Sequence, residues 1–202
     1  MEAPHHQHPA PPPQAPSGDR SGGDGGLPGG PAGGTRHEVT VTVHTAEAMR
    51  ELGVRLAGLL RAGDLVLLTG ELGAGKTTLT RGLGEGLGVR GAVTSPTFVI
   101  ARVHPSLTEG PPLVHVDAYR LGGGLEEMED LDLDVSLPES VVVVEWGEGK
   151  VEELTEERLH VVITRTLGEG VEEGADDSRT VTFLGVGARW ARADLEALAA
   201  LG

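Results

Sequence analysis

The chain contains no cysteine. Disulfides, thiolate nucleophiles and cysteine-ligated metals are therefore excluded, and the usage fits a reducing compartment. Lysine is nearly absent too. Of 16 basic residues only Lys76 and Lys150 are lysine, and the others are arginine. A position that keeps a lysine in such a chain is worth examining. No stretch approaches the about 20 apolar residues that a membrane helix needs, and the N-terminus lacks a signal peptide's apolar core. The cytoplasm is the expected location, with no membrane partner. Bases are outnumbered by 31 acids, for a net charge of −15. Such a surface repels a phosphate backbone, so any action on nucleic acid is expected to be indirect, with a partner doing the holding.

Residues 1–36 lack a core of their own. They are almost entirely Pro, Gly, His, Ala and small polar residues, with Leu27 the one large branched aliphatic side chain. This segment cannot bury enough apolar surface to offset the entropy of ordering it, and it is predicted to be disordered. The cluster His5-His6-Gln7-His8 within it reads as compositional bias rather than as a metal site. Residues 37–202 suffice for a single domain with one core.

Within that domain, Glu38 to His44 alternates polar and apolar residues at strand period. Thr45 is a plausible N-cap for a helix on which Met49, Leu52, Leu56, Leu59 and Leu60 recur at helical spacing, with Gly63 as its end. Leu65 to Leu68 is a continuous apolar run that suits a strand buried on both faces. A Gly-rich loop and a helix from Thr77 to Leu87 follow. Further strands are predicted at Phe98 to His104, Leu113 to Val116 and Val141 to Val144. An acid-rich helical segment is expected from Leu125 to Leu133. Leu159 to Thr164 and Arg179 to Leu184 read as a hairpin closed by the acidic, Gly-rich loop at 168–177. Arg189 to Leu201 reads as a terminal helix. Alternating strands and helices point to a layered α/β fold with a largely parallel sheet, and the late hairpin suggests an antiparallel edge.

Gly70-Glu71-Leu72-Gly73-Ala74-Gly75-Lys76-Thr77 matches the Walker A pattern G-x-x-x-x-G-K-[ST]. The glycines let backbone N–H groups converge on phosphates without side chains in the way. The helix that follows points its positive end at the anion. Lys76 supplies a cation for the β- and γ-phosphates, and the Thr77 hydroxyl can coordinate magnesium. The loop follows a buried strand, opens a helix and holds one of the two lysines, so nucleotide binding is predicted. Two acids stand at strand ends, Asp117 after Leu113 to Val116 and Glu145 after Val141 to Val144. In an open α/β sheet those ends face the ligand crevice, so both carboxylates are expected beside the phosphates. Thr94-Ser95-Pro96-Thr97 reads either as a switch segment whose hydroxyls sense the γ-phosphate or as a turn set by Pro96.

The order of these elements resembles the TsaE family, formerly called YjeE, the ATPases of the bacterial machinery that makes threonylcarbamoyladenosine in tRNA. The resemblance rests on Gly70 to Thr78, Ser95-Pro96-Thr97-Phe98, His115 to Leu121 with the pattern H-x-D-x-Y-R-L, and Glu145-Trp146. It implies a three-layer P-loop NTPase fold with a mixed, largely parallel central sheet. It also implies ATP hydrolysis in support of a TsaD–TsaB complex rather than catalysis on tRNA itself. Gly70, Leu72, Gly73, Ala74, Gly75, Lys76, Thr77 and Thr78 would contact the nucleotide. Thr77 and Glu145 would bind magnesium. Lys76 and Asp117 would assist hydrolysis, with Ser95 to Thr97 forming the switch and Thr97 taking part in catalysis. Trp146 would pack beside the nucleotide, and the adenine side would fall near Thr45 and Ala46, near Glu148 and at Arg179. The sequence departs from the family at Gly147, where a proline often follows the Glu-Trp pair, and in residues 1–36 and much of 168–177.

Two other readings differ in chemistry. A metabolite kinase would need a cationic lid, and the stretch after the Walker helix offers Arg90, Arg102 and Arg120 before the loops turn acidic. A nucleotide-dependent switch would signal by its bound state. No N-K-x-D guanine motif is present, so ATP is favoured through the resemblance. The acidic run from Glu126 to Asp134 reads as a solvated face or as a docking surface for a basic partner.

Overall fold

The structure, a computed structural model, describes residues 36–94, 101–120, 133–149, 155–165 and 178–200. In chain order the elements are β1 (Arg36–Val43), α1 (Ala46–Ala57), β2 (Leu65–Gly70), α2 (Lys76–Gly86), β3 (Ala101–His104), β4 (Leu113–Asp117), α3 (Leu133–Ser136), β5 (Val141–Glu145), β6 (Arg158–Arg165), β7 (Arg179–Val186) and α4 (Ala188–Ala191). The predicted tail up to Thr35, the acidic segment up to Asp132, the loop at 168–177 and the residues Ser95 to Ile100, Thr97 among them, lie outside the described residues, while Arg36, placed in the tail, begins β1.

The strands form one sheet in the order β1-β7-β6-β2-β5-β4-β3. Its centre is parallel: β2 pairs with both β5 and β6, and β5 pairs with β4. The predicted hairpin is present as β6 and β7, in register from Arg158↔Val186 to Arg165↔Arg179. β1 adds outside it, antiparallel to β7, and β3 closes the opposite side antiparallel to β4.

Leu65 to Leu68 and Val141 to Val144 have no solvent exposure, as continuous apolar strands buried on both faces require. On one face Val66, Leu68, Val141 and Val143 pack with Met49, Leu52 and Leu56 of α1 and Leu79 and Leu83 of α2. On the other, Leu65, Leu67, Val142 and Val144 pack with Val114, Val116 and Leu133. Each such side chain contributes about 1.5–3 kcal/mol by leaving water.

Thr45 caps α1 as its sequence suggests, its Oγ1 accepting from the Ala48 N–H at 3.0 Å. The helix stops at Ala57 rather than near Gly63. The N–H groups of Leu59 and Leu60 donate to Leu56 and Ala57, three residues back, which tightens the chain out of α-helical geometry. α1 crosses α2 at glycines. A Cβ on Gly82 would stand 1.9 Å from the Arg50 carbonyl oxygen, so the two backbones are in direct contact. That crossing seats the start of α1 beside the start of α2, where Met49 reaches within 3.3 Å of the Cβ position at Gly75.

The terminal segment is not one helix. α4 ends at Ala191, and a separate 3-10 turn spans Leu195–Leu198. Asp194 between them accepts from the Ala197 N–H at 3.3 Å, and such a local side-chain bond competes with helix continuation. Trp190, Leu195 and Leu198 still bury in the larger core. Arg189 locks the segment with two bonds to the buried Asp64 carboxylate, at 3.1 and 2.9 Å, and one to the Leu59 carbonyl.

Candidate functional site

The carboxyl ends of the parallel strands meet the start of α2. β2 delivers the chain to Gly70, which approaches β6 so closely that a Cβ would lie 2.5 Å from the Ile163 carbonyl oxygen. Gly75 caps α2 with φ 114°, a left-handed conformation that L side chains rarely adopt. This aims the first-turn N–H groups of α2, which have no intrahelical acceptor, at the space above the loop. The loop draws on itself as well, since the Ala74 N–H donates to the Glu71 carbonyl at 3.1 Å.

A cavity of about 500 Å³ opens there. Leu72, Gly73, Gly75, Lys76, Thr77 and Thr78 line it from the loop and α2, Asp117 from β4, and Glu145 and Trp146 from the end of β5. Gly70 and Glu148 line a neighbouring cavity of about 660 Å³ that shares Leu72 and Trp146 with the first. Ala74 is buried beneath the loop. Ala46, the exposed first residue of α1, and Arg179, the first of β7, are not among the residues lining either cavity. Arg179 reaches the loop through its Nε, which donates to the Ala74 carbonyl at 3.1 Å. Thr97 lies outside the described residues.

Lys76 is buried, and its ammonium donates to the carbonyls of Gly70 at 2.7 Å and Glu71 at 3.0 Å. The same Nζ lies 3.8 Å from the centre of the Trp146 ring, a cation–π contact. Burial pulls the Lys76 ammonium below its ordinary pKa, against the opposing pull of Glu145 and Asp117. The Thr77 hydroxyl donates to Glu145 Oε1 at 3.2 Å. Asp117 Oδ1 accepts from the Tyr119 N–H at 3.1 Å. One cation, two carboxylates and a hydroxyl therefore converge on one cavity wall from three separate parts of the chain.

Three features were not read from the sequence. His115 is fully buried and its Nε2 lies 2.9 Å from Glu145 Oε1. Its spacing from Asp117 was the available signal, because residues two apart on a strand share a face. Tyr119 is 73% exposed, lines the cavity and contacts Trp146 at 5.4 Å between ring centres. Trp146 has φ 61°, the one non-glycine residue with positive φ among the described residues. A left-handed backbone at a bulky residue costs on the order of 1–3 kcal/mol. The Trp146 N–H bond to the Leu68 carbonyl at 3.2 Å and the ring contacts with Lys76 and Tyr119 hold it there. Nothing in the residue types around position 146 signals that conformation.

Among the described residues no helix is long and apolar enough to cross a membrane, and no group of three or more His, Cys, Asp or Glu side chains forms a metal cluster.

Comparison with known proteins agrees with this architecture. A family model described as threonylcarbamoyl adenosine biosynthesis protein TsaE matches residues 43–172. The chain is 77% identical over 151 residues to a tRNA threonylcarbamoyladenosine biosynthesis protein TsaE from Streptomyces coelicolor, covering 75% of this chain and 99% of that one. It is 40% identical over 153 residues to the protein of the same name from Bacillus subtilis, covering 75% and 86% of the two chains. The crystal structure of Bacillus subtilis YdiB superposes with a TM-score of 0.59 at 32% identity, covering 81% of this chain and 93% of that one. With the family model spanning more than half its length, the chain belongs to the TsaE family of tRNA threonylcarbamoyladenosine biosynthesis proteins.

Proposed function

We propose that this chain binds ATP with magnesium in the P-loop cavity and hydrolyses it, and that the turnover drives tRNA threonylcarbamoyladenosine modification by a TsaD–TsaB complex in the cytoplasm. The observation that carries the reading is the convergence of Lys76, Thr77, Asp117 and Glu145 on that cavity.

The donor set suits magnesium. The Thr77 hydroxyl and Glu145 carboxylate are hard oxygen donors 3.2 Å apart. Magnesium favours one or two protein oxygens, completing its shell with phosphate oxygens and water. Held by these two residues, the ion supplies positive charge that offsets charge developing on the phosphate oxygens. The chain's own residues do the rest. Backbone N–H groups of the loop and the first turn of α2 bind the phosphates. Lys76 exchanges its two carbonyl acceptors for phosphate oxygens and stabilises them as a charge-assisted donor. Asp117, oriented by the Tyr119 N–H, positions the attacking water and draws its proton. Trp146 and Tyr119 form an aromatic wall that limits solvent at the phosphates.

The partner reading draws on the family and on charge. A net charge of −15 is ill suited to gripping tRNA, so the RNA is reached through the partner. The test is phosphate release from ATP by the purified protein, alone and with TsaD–TsaB and tRNA. Slow release alone that rises with the complex, and modification that fails without this chain, are expected. Transfer of the phosphoryl group to a metabolite instead of water would overturn the reading.

A further inference from the structure

We infer that His115 is a positioning residue that holds Glu145 in the orientation needed to ligate magnesium; this rests on the proposed reading of Glu145 as a metal ligand. His115 is on β4 and Glu145 ends the adjacent parallel strand β5. Asp117 pairs in register with Glu145, and His115 lies two residues earlier on the same face, so its ring reaches the flank of the carboxylate. The contact is 2.9 Å from Nε2 to Oε1 between side chains 0% and 5% exposed.

Glu145 Oε1 also accepts from Thr77. An ionised carboxylate only accepts, so the hydrogen between His115 and Glu145 is on Nε2. The ring's Nδ1 is buried with no hydrogen-bond partner. A buried imidazole with one orphaned nitrogen is a poor choice for filling a core, where leucine would pack without a polar cost. Its one made bond goes to Glu145. With Thr77 and His115 both fixing Oε1, the carboxylate is held in place before a metal arrives, and outer-shell bonds of this type orient ligands.

The test compares wild type with His115→Leu, which removes the bond, and His115→Gln, whose amide N–H can reach where Nε2 does. Affinity for a fluorescent ATP analogue is measured in EDTA and across a magnesium chloride titration. Expected is unchanged affinity in EDTA, a magnesium midpoint raised about tenfold or more in His115→Leu, and recovery of most of that shift in His115→Gln. A midpoint in folded His115→Leu equal to that of wild type overturns the inference while leaving the nucleotide site intact. Wild-type affinity that ignores magnesium, or Glu145→Ala with an unshifted midpoint, overturns the metal reading and this inference with it. Should His115→Leu fail to fold, nitrogen-15 spectra of the wild-type ring decide. A proton on Nε2 supports the assignment, and a proton on Nδ1 with none on Nε2 overturns it.

Discussion

Asp117 and Glu145 are register partners across adjacent parallel strands, and each is the last residue of its strand. Neighbours in register put their side chains on the same face of the sheet. The two carboxylates thus stand side by side at the cavity, both largely buried, with Lys76 as the nearby cation. They differ in their other contacts. Glu145 is tied to Thr77 and His115, while Asp117 is tied to the Tyr119 backbone.

That difference separates their mutational effects. Asp117→Ala is expected to keep nucleotide affinity within a few-fold and to slow phosphate release by about 10²-fold or more, the range for a positioned acid–base group. Glu145→Ala is expected to remove the magnesium dependence of nucleotide affinity. Parallel titration calorimetry and phosphate-release assays check both. Collapse of affinity in Asp117→Ala with normal turnover per bound site would reverse the roles.

Lys76→Met removes the buried ammonium at the cavity while keeping most of the length of the side chain. Hydrogen bonds to charged groups contribute about 1.5–3 kcal/mol, so nucleotide affinity should fall roughly tenfold to a hundredfold. Equilibrium binding of ATP checks this. Wild-type affinity in the variant would mean that phosphates do not bind at this loop.

Gly82→Ala tests the helix crossing. The added Cβ meets the Arg50 carbonyl at 1.9 Å, and neither backbone can rotate away as a side chain would. Overpacking of this kind costs about 1–3 kcal/mol or more. For a domain of this size each kcal/mol lowers Tm by about 2–4 °C. Thermal unfolding followed by circular dichroism measures it, and an unchanged Tm would show that the two helices are not in backbone contact.

His104 predicts an acid-side loss of stability. It is buried, its Nδ1 lies 3.4 Å from the Arg90 carbonyl, and its Nε2 has no partner. Burial lowers its pKa below the ordinary histidine value, with the Arg90 carbonyl opposing and His115 and Arg102 adding to the depression. Between the folded and unfolded pKa values the unfolded chain binds more protons, so stability rises with pH across that window. It therefore falls as pH drops below about 6.5. His104→Asn keeps a donor for the Arg90 carbonyl and does not titrate. Urea midpoints at pH 7.5 and 5.5 should differ more for wild type than for the variant. Equal differences would remove His104 as a source.

Much of the fold was legible because its signals are local. The runs Leu65 to Leu68 and Val141 to Val144 announce strands buried on both faces, and the loop from Gly70 to Thr77 carries its spacing in consecutive residues. The place of Asp117 and Glu145 at the cavity was legible because each follows an apolar run, and strand ends face the crevice. Contacts between segments were less legible. The His115–Glu145 bond spans 30 positions, and the placement of β1 outside the hairpin depends on which edge is open once β6 has paired with β2. The terminal helix was misread because Asp194 forms a local cap that competes with helical periodicity.

By itself the sequence determined the alternation of strands and helices, the glycine-rich loop from Gly70 to Thr77 and the acids that end β4 and β5, since these follow from side-chain period and from steric rules acting over a few residues. The tertiary structure alone decided that Asp117 and Glu145 stand in register, that His115 clamps the Glu145 carboxylate, and that Trp146 covers the Lys76 ammonium from a left-handed backbone. Those relationships come from strand register and from packing across the sheet, which join residues that no local pattern connects.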